Sequence, residues 1–160
     1  MTAPRTFESF FETERDGLFG ALVLITGDRH EAEEIAQDSF LVLWERWDRV
    51  SGMENTAGYL YRTAMNIFRR RRRRAALAVR RAVGLIHPED AFNAADARQA
   101  VGRALAGLSR RQRAALVLTD LLGFSSEEAG RALGIKAVTV RVLASQGRAA
   151  MRQSLGESDE

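Results

Sequence analysis

The side chains best suited to chemistry in this chain are arginines, and they are concentrated in two places. Six consecutive arginines occupy positions 69–74, and Arg141, Arg148 and Arg152 recur at helical spacing near the other end. Guanidinium groups bind phosphates and the edges of bases through two parallel hydrogen bonds. These residue types therefore favour binding to a polyanion over the making or breaking of covalent bonds.

No set of residues predicts a catalytic or metal site. The chain has no cysteine, and its two histidines, His30 and His87, lie far apart in the sequence. Disulfides and thiolate metal sites are thereby excluded, so we expect no cofactor, no metal and no enzymatic activity. No apolar run is long enough to cross a bilayer, and the first residues lack the order of a signal peptide. The expected protein is soluble and cytoplasmic, without membrane insertion.

Charge is distributed unevenly along the 160 residues. Residues 1–60 hold five arginines and twelve acidic residues, a net charge of −7, whereas residues 61–86 hold nine arginines and no acid. Residues 107–153 carry eight basic and three acidic residues. The acidic block and the two basic blocks require different partners, and one polyanion that touches both basic blocks is the simplest explanation.

The pattern of residues in the last third of the chain predicts two consecutive helices, each with an N-terminal cap. Ser109 with Gln112, and Ser125 with Glu128, have the spacing of capping boxes, in which each side chain binds a free backbone N–H of the other residue. Gly123 follows the apolar positions of the first helix, where a left-handed residue ends a helix at low cost. The second helix is expected to run to Leu133.

A turn and a third helix then complete a helix-turn-helix pattern. Gly134 makes the turn, and Gly130 lies one helical turn before it, where close packing demands a small residue. Apolar contacts behind the recognition helix are expected from Ile135, Val140 and Leu143. An ordinary helical bundle with no nucleic-acid partner has the same pattern, so the rest of the chain must decide between the two.

The first half predicts three helices. The first is expected over Thr6–Thr26 and ends at Gly27; Asp28 and Glu31 then cap the second. A loop over residues 50–56 precedes the third, basic helix, capped by Asn55 or Thr56. The second helix is expected to bury Ala36, Phe40, Leu43, Trp44 and Trp47, and the third to direct Leu60, Ala64 and Ile67 at the other two.

The two halves are expected to be separate small domains in an all-α fold. Residues 82–96 contain Gly84 and Pro88 without periodicity, which is typical of a linker. A further helix over about Ala94–Ala106 would open the second domain, with Val101, Leu105 and Leu108 inward. The arginine tract itself has two simpler interpretations, a solvated or disordered run and an RNA-binding tail. Its continuity with an apolar helical face favours a binding helix over both.

Taken together, the residues resemble a bacterial RNA polymerase sigma factor of the extracytoplasmic-function group in the sigma-70 family. The resemblance covers nearly the whole chain in the same order. Three stretches carry it: LITGDRHEAEEIAQDSFLVLWERW, NTAGYLYRTAMNIFRRRRRR and LSRRQRAALVLTDLLGFSSEEAGRALGIKAVTVRVLASQGRAAMR. It implies region 2 over residues 1–81, a linker over 82–96 and region 4 over 97–156.

The resemblance also implies partners and roles. Core RNA polymerase would be bound through its beta-prime clamp coiled coil and its beta flap, and promoter DNA would be the second partner. An anti-sigma factor is the family's usual control, although no residue here demonstrates one. The residues that correspond to the polymerase-binding face are Glu34, Gln37, Asp38 and Leu41.

Two sets of residues would contact promoter DNA. In region 2 the loop 50–56 would capture a base extruded from the minus-10 element while the basic helix holds the strand, with Tyr59 and Tyr61 as nearby aromatics. The minus-10 set is Asn55, Tyr59, Arg62, Asn66, Arg69, Arg70 and Arg73. In region 4 the recognition helix would enter the major groove of the minus-35 element. The minus-35 set is Arg110, Arg111, Arg113, Lys136, Thr139, Arg141, Gln146 and Arg148.

This chain departs from the family pattern at several positions. Ser109 stands where a proline is common, Arg70 where an acid is common, and Leu143 and Gln146 where basic residues are common. The promoter sequence is therefore left open, and Leu143 is expected to pack inward. Two other functions compete with the sigma-factor interpretation: a stand-alone dimeric helix-turn-helix regulator and an arginine-rich RNA-binding protein.

Overall fold

The structure is a computed structural model that describes the backbone of residues 5–81 and 97–157. Both described ranges are almost entirely helical, as the all-α expectation requires. The proposed linker, residues 82–96, lies outside them. No helix within the two described ranges is long and apolar enough to cross a membrane.

Four helices form the first half: α1 (Phe7–Thr26), α2 (Arg29–Glu45), α3 (Trp47–Val50) and α4 (Thr56–Arg81). The predicted caps are confirmed. Gly27 closes α1 at φ 72°, and the Asp28 carboxylate accepts hydrogen bonds from the backbone N–H groups of His30 and Glu31. Asn55 caps α4, because its Oδ1 atom accepts from the Gly58 N–H at 2.8 Å. These caps give α2 and α4 fixed starting points, which sets the direction of every side chain along them.

Part of the predicted core of α2 is wrong. Phe40 and Leu43 are buried as expected, but 56% of Trp44 is exposed. Helix α2 ends at Glu45, so Trp47 belongs to the separate short helix α3. Trp44 lies at the rim of the core, where the ring of Phe7, in the first turn of α1, meets it edge-on at 5.1 Å.

The second half contains α5 (Ala97–Ala106), α6 (Arg110–Leu116), α7 (Ser126–Leu133) and α8 (Ala137–Glu157). Both predicted capping boxes are present, at the starts of α6 and α7. Leu105 and Leu108 are buried as predicted, whereas 43% of Val101 is exposed, so its inward placement is wrong. Ala104 and Leu105, in the last turn of α5, are buried, and Val101 precedes that turn.

A π-helical segment, Val117–Leu121, follows α6 and was not predicted. Its wider turn is held by a hydrogen bond from the Leu122 N–H to the Val117 carbonyl at 3.0 Å. The helical segment is followed by Gly123, whose φ of 75° confirms the predicted left-handed residue. This ending directs Phe124 toward the first half, where its ring meets Tyr61 edge-on at 5.3 Å.

The two halves pack against each other and share one hydrophobic core. Helix α4 packs on α7, and α1 packs on α6 and the π-helical segment. Buried side chains of both halves, among them Leu22, Met65, Leu118 and Leu133, belong to the same cluster. The described chain therefore has a closed arrangement, in which a face of α4 is covered by the helix-turn-helix.

Candidate nucleic-acid interface

The outer face of α2 combines acidic and apolar groups. Gln37 and Asp38 are exposed, and Leu41 is 56% exposed beside the equally exposed Trp44. Exposed apolar side chains rimmed by polar ones are typical of surfaces that bind other proteins. The structure thus brings together three of the four residues predicted to bind polymerase on an open surface, with Glu34 at its edge.

Arg71 links this acidic face to the basic helix. Its guanidinium donates to the Glu34 carboxylate at 2.6 Å and lies 3.7 Å from that of Asp38. The hydrogen bond from Arg71 lowers the pKa of Glu34, and the same bond raises the pKa of Arg71. One member of the arginine tract is therefore neutralised by the acidic block and is removed from the charge offered to a polyanion.

A groove of about 370 Å³ runs along α4, between that helix and the end of α2. Basic and aromatic side chains line it, including Arg46, Tyr59, Arg62, Asn66 and Arg70. A positive groove with an aromatic side chain fits a single strand, because the phosphates are neutralised while a base stacks. Four residues of the predicted minus-10 set thus share one surface.

The two tyrosines of this region have different environments. Arg46 donates a hydrogen bond to the Tyr59 hydroxyl at 2.9 Å, and this bond lowers the pKa of Tyr59. Tyr61 is buried against Phe124, and burial, aided by the charge of Glu14, raises the pKa of Tyr61 to about 12. Tyr59, the one tyrosine of the minus-10 set, is partly exposed and available to a base, whereas the nearby Tyr61 is a core residue of the junction.

Arg69 and Asn66 engage the second half of the chain. The Arg69 guanidinium donates to the Leu133 carbonyl and to the Asn66 Oδ1 atom. It occupies the space that a side chain at Gly134 would fill. In the closed arrangement these two members of the minus-10 set hold the turn of the helix-turn-helix, while Arg70 and Arg73 stay exposed.

The helix-turn-helix depends on close backbone contact between α7 and the start of α8. A Cβ atom at Gly130 would lie 2.7 Å from the Ile135 carbonyl oxygen, closer than van der Waals contact allows. Gly134 adopts φ 69°, which a glycine accommodates without strain. On the inner side of the recognition helix α8, Val140 is fully buried and Leu143 is partly buried, as predicted.

The predicted reading residues lie on the outer side of this unit. Lys136, Arg141, Gln146 and Arg148 are exposed, and Thr139 is half-buried. Several have partners within the chain: Arg141 lies 3.6 Å from Glu127, Arg148 2.9 Å from Asp120, and Gln146 accepts from Gln112 at 3.3 Å. Exposed ion pairs of this kind are weak, so the arginines can exchange them for phosphates or bases.

Sequence reasoning missed two apolar residues of the recognition helix. Val138 is 54% exposed and Val142 is 50% exposed, one helical turn apart on the same outer side. Apolar side chains in the major groove contact the methyl group of thymine. Burial of Val140 and Leu143 was predicted, and helical periodicity then places Val138 and Val142 outside, so the signal was present in the sequence.

The three arginines of α6 do not share one environment. Arg111 is exposed and Arg110 is half-buried, but only 8% of Arg113 is accessible. The Arg113 Nε atom has no hydrogen-bond partner among the described residues. Burial, followed by the charges of Arg110 and Arg72, lowers the pKa of Arg113. In the closed arrangement, contact with a DNA phosphate is therefore open to Arg110 and Arg111 and is blocked for Arg113.

Comparison with known families matches both halves of the chain. The family described as Sigma-70 region 2 matches residues 10–77, and the family described as Sigma-70, region 4 matches residues 98–151. The two matches leave the ends and the segment between the halves unassigned. They follow the order in which the α4 groove and the helix-turn-helix occur.

Curated relatives extend the likeness across most of the chain. The "ECF RNA polymerase sigma factor SigG" of Mycobacterium tuberculosis is 28% identical over 176 residues, which cover 91% of this chain and 48% of the relative. The "ECF RNA polymerase sigma factor SigE" of Mycolicibacterium smegmatis is 27% identical, over 98% of this chain and 64% of the relative. The chain thus spans about half to two thirds of the length of these relatives.

Two solved structures share the fold. The sigma factor RpoE of Bartonella quintana, solved in complex with the anti-sigma factor NepR, aligns with a TM-score of 0.79 at 24% identity. The alignment covers 94% of this chain and 96% of that one. The PhyRSL–NepR complex from Sphingomonas sp. Fr1 aligns with a TM-score of 0.66 at 18% identity. At these identities the alignments establish the shared helical architecture.

Proposed function

Because this chain belongs to the sigma-70 family, we propose that it acts as an extracytoplasmic-function sigma factor, which binds core RNA polymerase and directs it to promoters. The observation that carries the proposal is the presence of three distinct surfaces in one short chain. These are the acidic and apolar face of α2, the basic groove of α4 and the helix-turn-helix. A DNA regulator that works alone needs only the last of them.

The first half, residues 1–81, would dock on polymerase and stabilise the opened strand. The exposed face of α2, with Gln37, Asp38 and Leu41, suits the beta-prime clamp coiled coil, since an acidic surface repels DNA and favours a basic protein partner. Extrusion of a base costs a few kcal/mol, which stacking on Tyr59 and phosphate contacts of Arg62 and Arg70 would offset.

The second half, residues 97–156, would place the complex at the minus-35 element and contact the beta flap, with residues 82–96 as the linker. Arg141 and Val142 are exposed on the outer side of α8, Lys136 is exposed directly before it, and all three would read the major groove. The linker would set the spacing between the two DNA elements. Since the polymerase performs the chemistry, we assign no catalytic role and no cofactor to this chain, and its place of action would be the cytoplasm.

An anti-sigma factor is included among the proposed partners. The Bartonella sigma factor that shares this fold was solved with such an inhibitor. An inhibitor that binds both halves would hold the closed arrangement, in which Asn66 and Arg69 are engaged with the helix-turn-helix.

In vitro transcription tests the proposal directly. Core polymerase would be supplied with a fragmented genomic template, with and without the protein, and transcript starts would be mapped. We expect a discrete set of starts that appear only with the protein. Starts that are unchanged by the protein, together with tight binding of a palindromic duplex by the protein alone, would instead identify a dimeric regulator.

The double variant Gln37→Ala/Asp38→Ala tests the α2 face. We expect weaker association with core polymerase and unchanged binding of duplex DNA, because both side chains are exposed on α2 and neither belongs to the helix-turn-helix. Asp16→Ala/Gln153→Ala removes the same charge and the same amide at other exposed positions and serves as the control. Polymerase binding that survives the first pair as well as the second would show that the face has another role.

Arg141→Ala tests the recognition helix. Loss of one good base contact costs about 1–3 kcal/mol, roughly 5- to 150-fold in transcription from promoters with an intact upstream element. Association with polymerase should be unchanged, and Arg103→Ala on the exposed side of α5 is the control. Weakened association would contradict the assignment. Any DNA affinity should also fall with salt, by a slope of about −0.9 for each phosphate neutralised.

A further inference from the structure

Where the two halves meet, an open cleft of about 840 Å³ lies between α2, α4 and α6. Five arginines and two carboxylates line it: Arg70, Arg71, Arg72 and Arg74 from α4, Arg110 from α6, and Glu31 and Asp38 from α2. We name it the junction cleft. Its lining is strongly positive, and it is assembled from both halves of the chain.

The carboxylates do not neutralise this charge. Arg71 is already paired with Glu34 and Asp38. Neither Arg72 nor Arg110 has an ion-pair partner in the described part of the chain. Instead, the pKa of Arg72 is lowered, by burial first and then by the charges of Arg110 and Arg111, which the smaller opposing effect of Glu31 does not cancel. The closed arrangement therefore brings arginines of the two halves together without enough anions between them.

Arg113 adds a buried cation behind the same wall. Only 8% of its surface is accessible, and its Nε atom has no acceptor among the described residues. The charges that act on it are those of Arg110 and Arg72, with Glu31 as the only opposing one. Arg113 does not line the cleft, so a bound anion would not pair with its Nε atom but would offset the repulsion between Arg113, Arg110 and Arg72.

We propose that the junction cleft binds a small molecule with two or more linked phosphates. Such a molecule carries several charges on a short chain, so it can reach Arg72 and Arg110 at once, and arginine forks match phosphate oxygens. The volume is that of a small-molecule site. The two carboxylates lie on one side, on α2, and the arginines on the other, so a compact anion that reaches only the arginines fits better than a duplex backbone.

Arg110 reaches the cleft only while the halves are packed, so a ligand that binds Arg72 and Arg110 together favours the closed arrangement. In that arrangement Asn66 and Arg69 hold the turn after Leu133. The ligand would therefore oppose promoter binding. This consequence rests on the proposed function, whereas binding of the ligand does not.

Isothermal titration calorimetry on the full chain tests the binding, with inorganic triphosphate, ATP and inorganic monophosphate as probes at physiological salt. The variant Arg72→Gln/Arg110→Gln is compared with Arg73→Gln/Arg111→Gln, which removes the same charge from exposed neighbours on the same helices that do not line the cleft. We expect one triphosphate per chain, at least tenfold weaker binding in the first variant and less than a twofold change in the second. If ATP binds more tightly than inorganic triphosphate, the ligand is a nucleotide. If the two bind equally, the ligand is an inorganic polyphosphate.

Several outcomes would overturn the proposal. If both variants bind triphosphate equally weakly, the binding is only a general attraction to a basic surface. If monophosphate binds as tightly as triphosphate, the ligand does not need linked phosphates. Loss of DNA binding in Arg72→Gln/Arg110→Gln with no triphosphate bound to the wild type would make the cleft a nucleic-acid contact. Thermal unfolding checks that the variants are folded. Triphosphate should raise the Tm of the wild type and of the control variant but should leave the Tm of Arg72→Gln/Arg110→Gln unchanged.

Fluorescence energy transfer tests the link to the closed arrangement. The chain has no cysteine, so Glu12→Cys and Ser145→Cys place labels at exposed sites on the two halves. Triphosphate should shift the distance distribution to one short population in the wild type and have no effect in Arg72→Gln/Arg110→Gln. Binding without such a shift would refute the coupling. Neither measurement involves polymerase, so failure of the proposed function would be seen separately, in the transcription assay.

Discussion

The variant Gly130→Ala tests the contact that makes the helix-turn-helix. An added Cβ atom would lie 2.7 Å from the Ile135 carbonyl oxygen and 3.4 Å from the Ala137 nitrogen. Both are backbone atoms, so no side chain can rotate away, and the turn between α7 and α8 must move. The same substitution at Gly20 in α1 meets no atom within 4 Å. The two glycines therefore provide a matched pair.

The expected difference between the two variants follows from these contacts. In both helices alanine gains about 1 kcal/mol over glycine in helix propensity, and this gain cancels in the comparison. Overpacking in a close contact costs about 1–3 kcal/mol, and only Gly130→Ala incurs it. Gly20→Ala should therefore be more stable than the wild type, and Gly130→Ala should be less stable than Gly20→Ala by about 1–3 kcal/mol.

Thermal and urea unfolding, followed by circular dichroism, measure this difference. For a chain of this size 1 kcal/mol shifts the Tm by about 2–4 °C, so the two variants should differ by roughly 2–12 °C. Gly130→Ala should also lose transcription from promoters that depend on the upstream element. Equal stabilisation by both substitutions would refute the close approach of α7 to the turn and, with it, this account of the helix-turn-helix.

Two further predictions concern the junction and the caps. The pKa of Tyr61 is raised to about 12 by burial, so its stabilising contribution is complete below about pH 10, the unfolded value, and is lost as the pH rises to 12. Urea unfolding across this range should show the wild type losing stability relative to Tyr61→Phe, and parallel curves would contradict the burial of Tyr61. Ser125→Ala removes the side chain that accepts from the Glu128 N–H at 3.1 Å, so it should cost about 1 kcal/mol in the free energy of unfolding. Ser145→Ala, at an exposed position inside α8, is its control; equal effects would show that the cap contributes nothing.

Local structure was largely predictable because its causes are local. The capping boxes at Ser109 and Ser125, and the left-handed residues Gly27, Gly123 and Gly134, depend on residues within four positions of each other. The structure confirms each of them. Burial of Val140 and Leu143 in the recognition helix also followed from helical periodicity, whereas the α2 face followed from the family resemblance.

Predictions failed where neighbours from elsewhere in the chain decide burial. Trp44 and Val101 have the spacing of core residues, yet they are 56% and 43% exposed, and Phe7 from α1 covers Trp44 only in part. Tyr61 was predicted only to lie near the DNA strand, and its cover by Phe124 from the other half was not foreseen. The π-helical turn that directs Phe124 there has no recognised sequence signal.

The sequence by itself determined the helices, their caps, the uneven charge and the family, because each of these depends on residue types and short spacings. Only the tertiary structure decided which side chains are free to act. It placed Arg69 on the Leu133 carbonyl, buried Arg113 and brought Arg72 beside Arg110. These are contacts across more than thirty positions, and no local pattern encodes them, because they depend on how one half of the chain packs on the other.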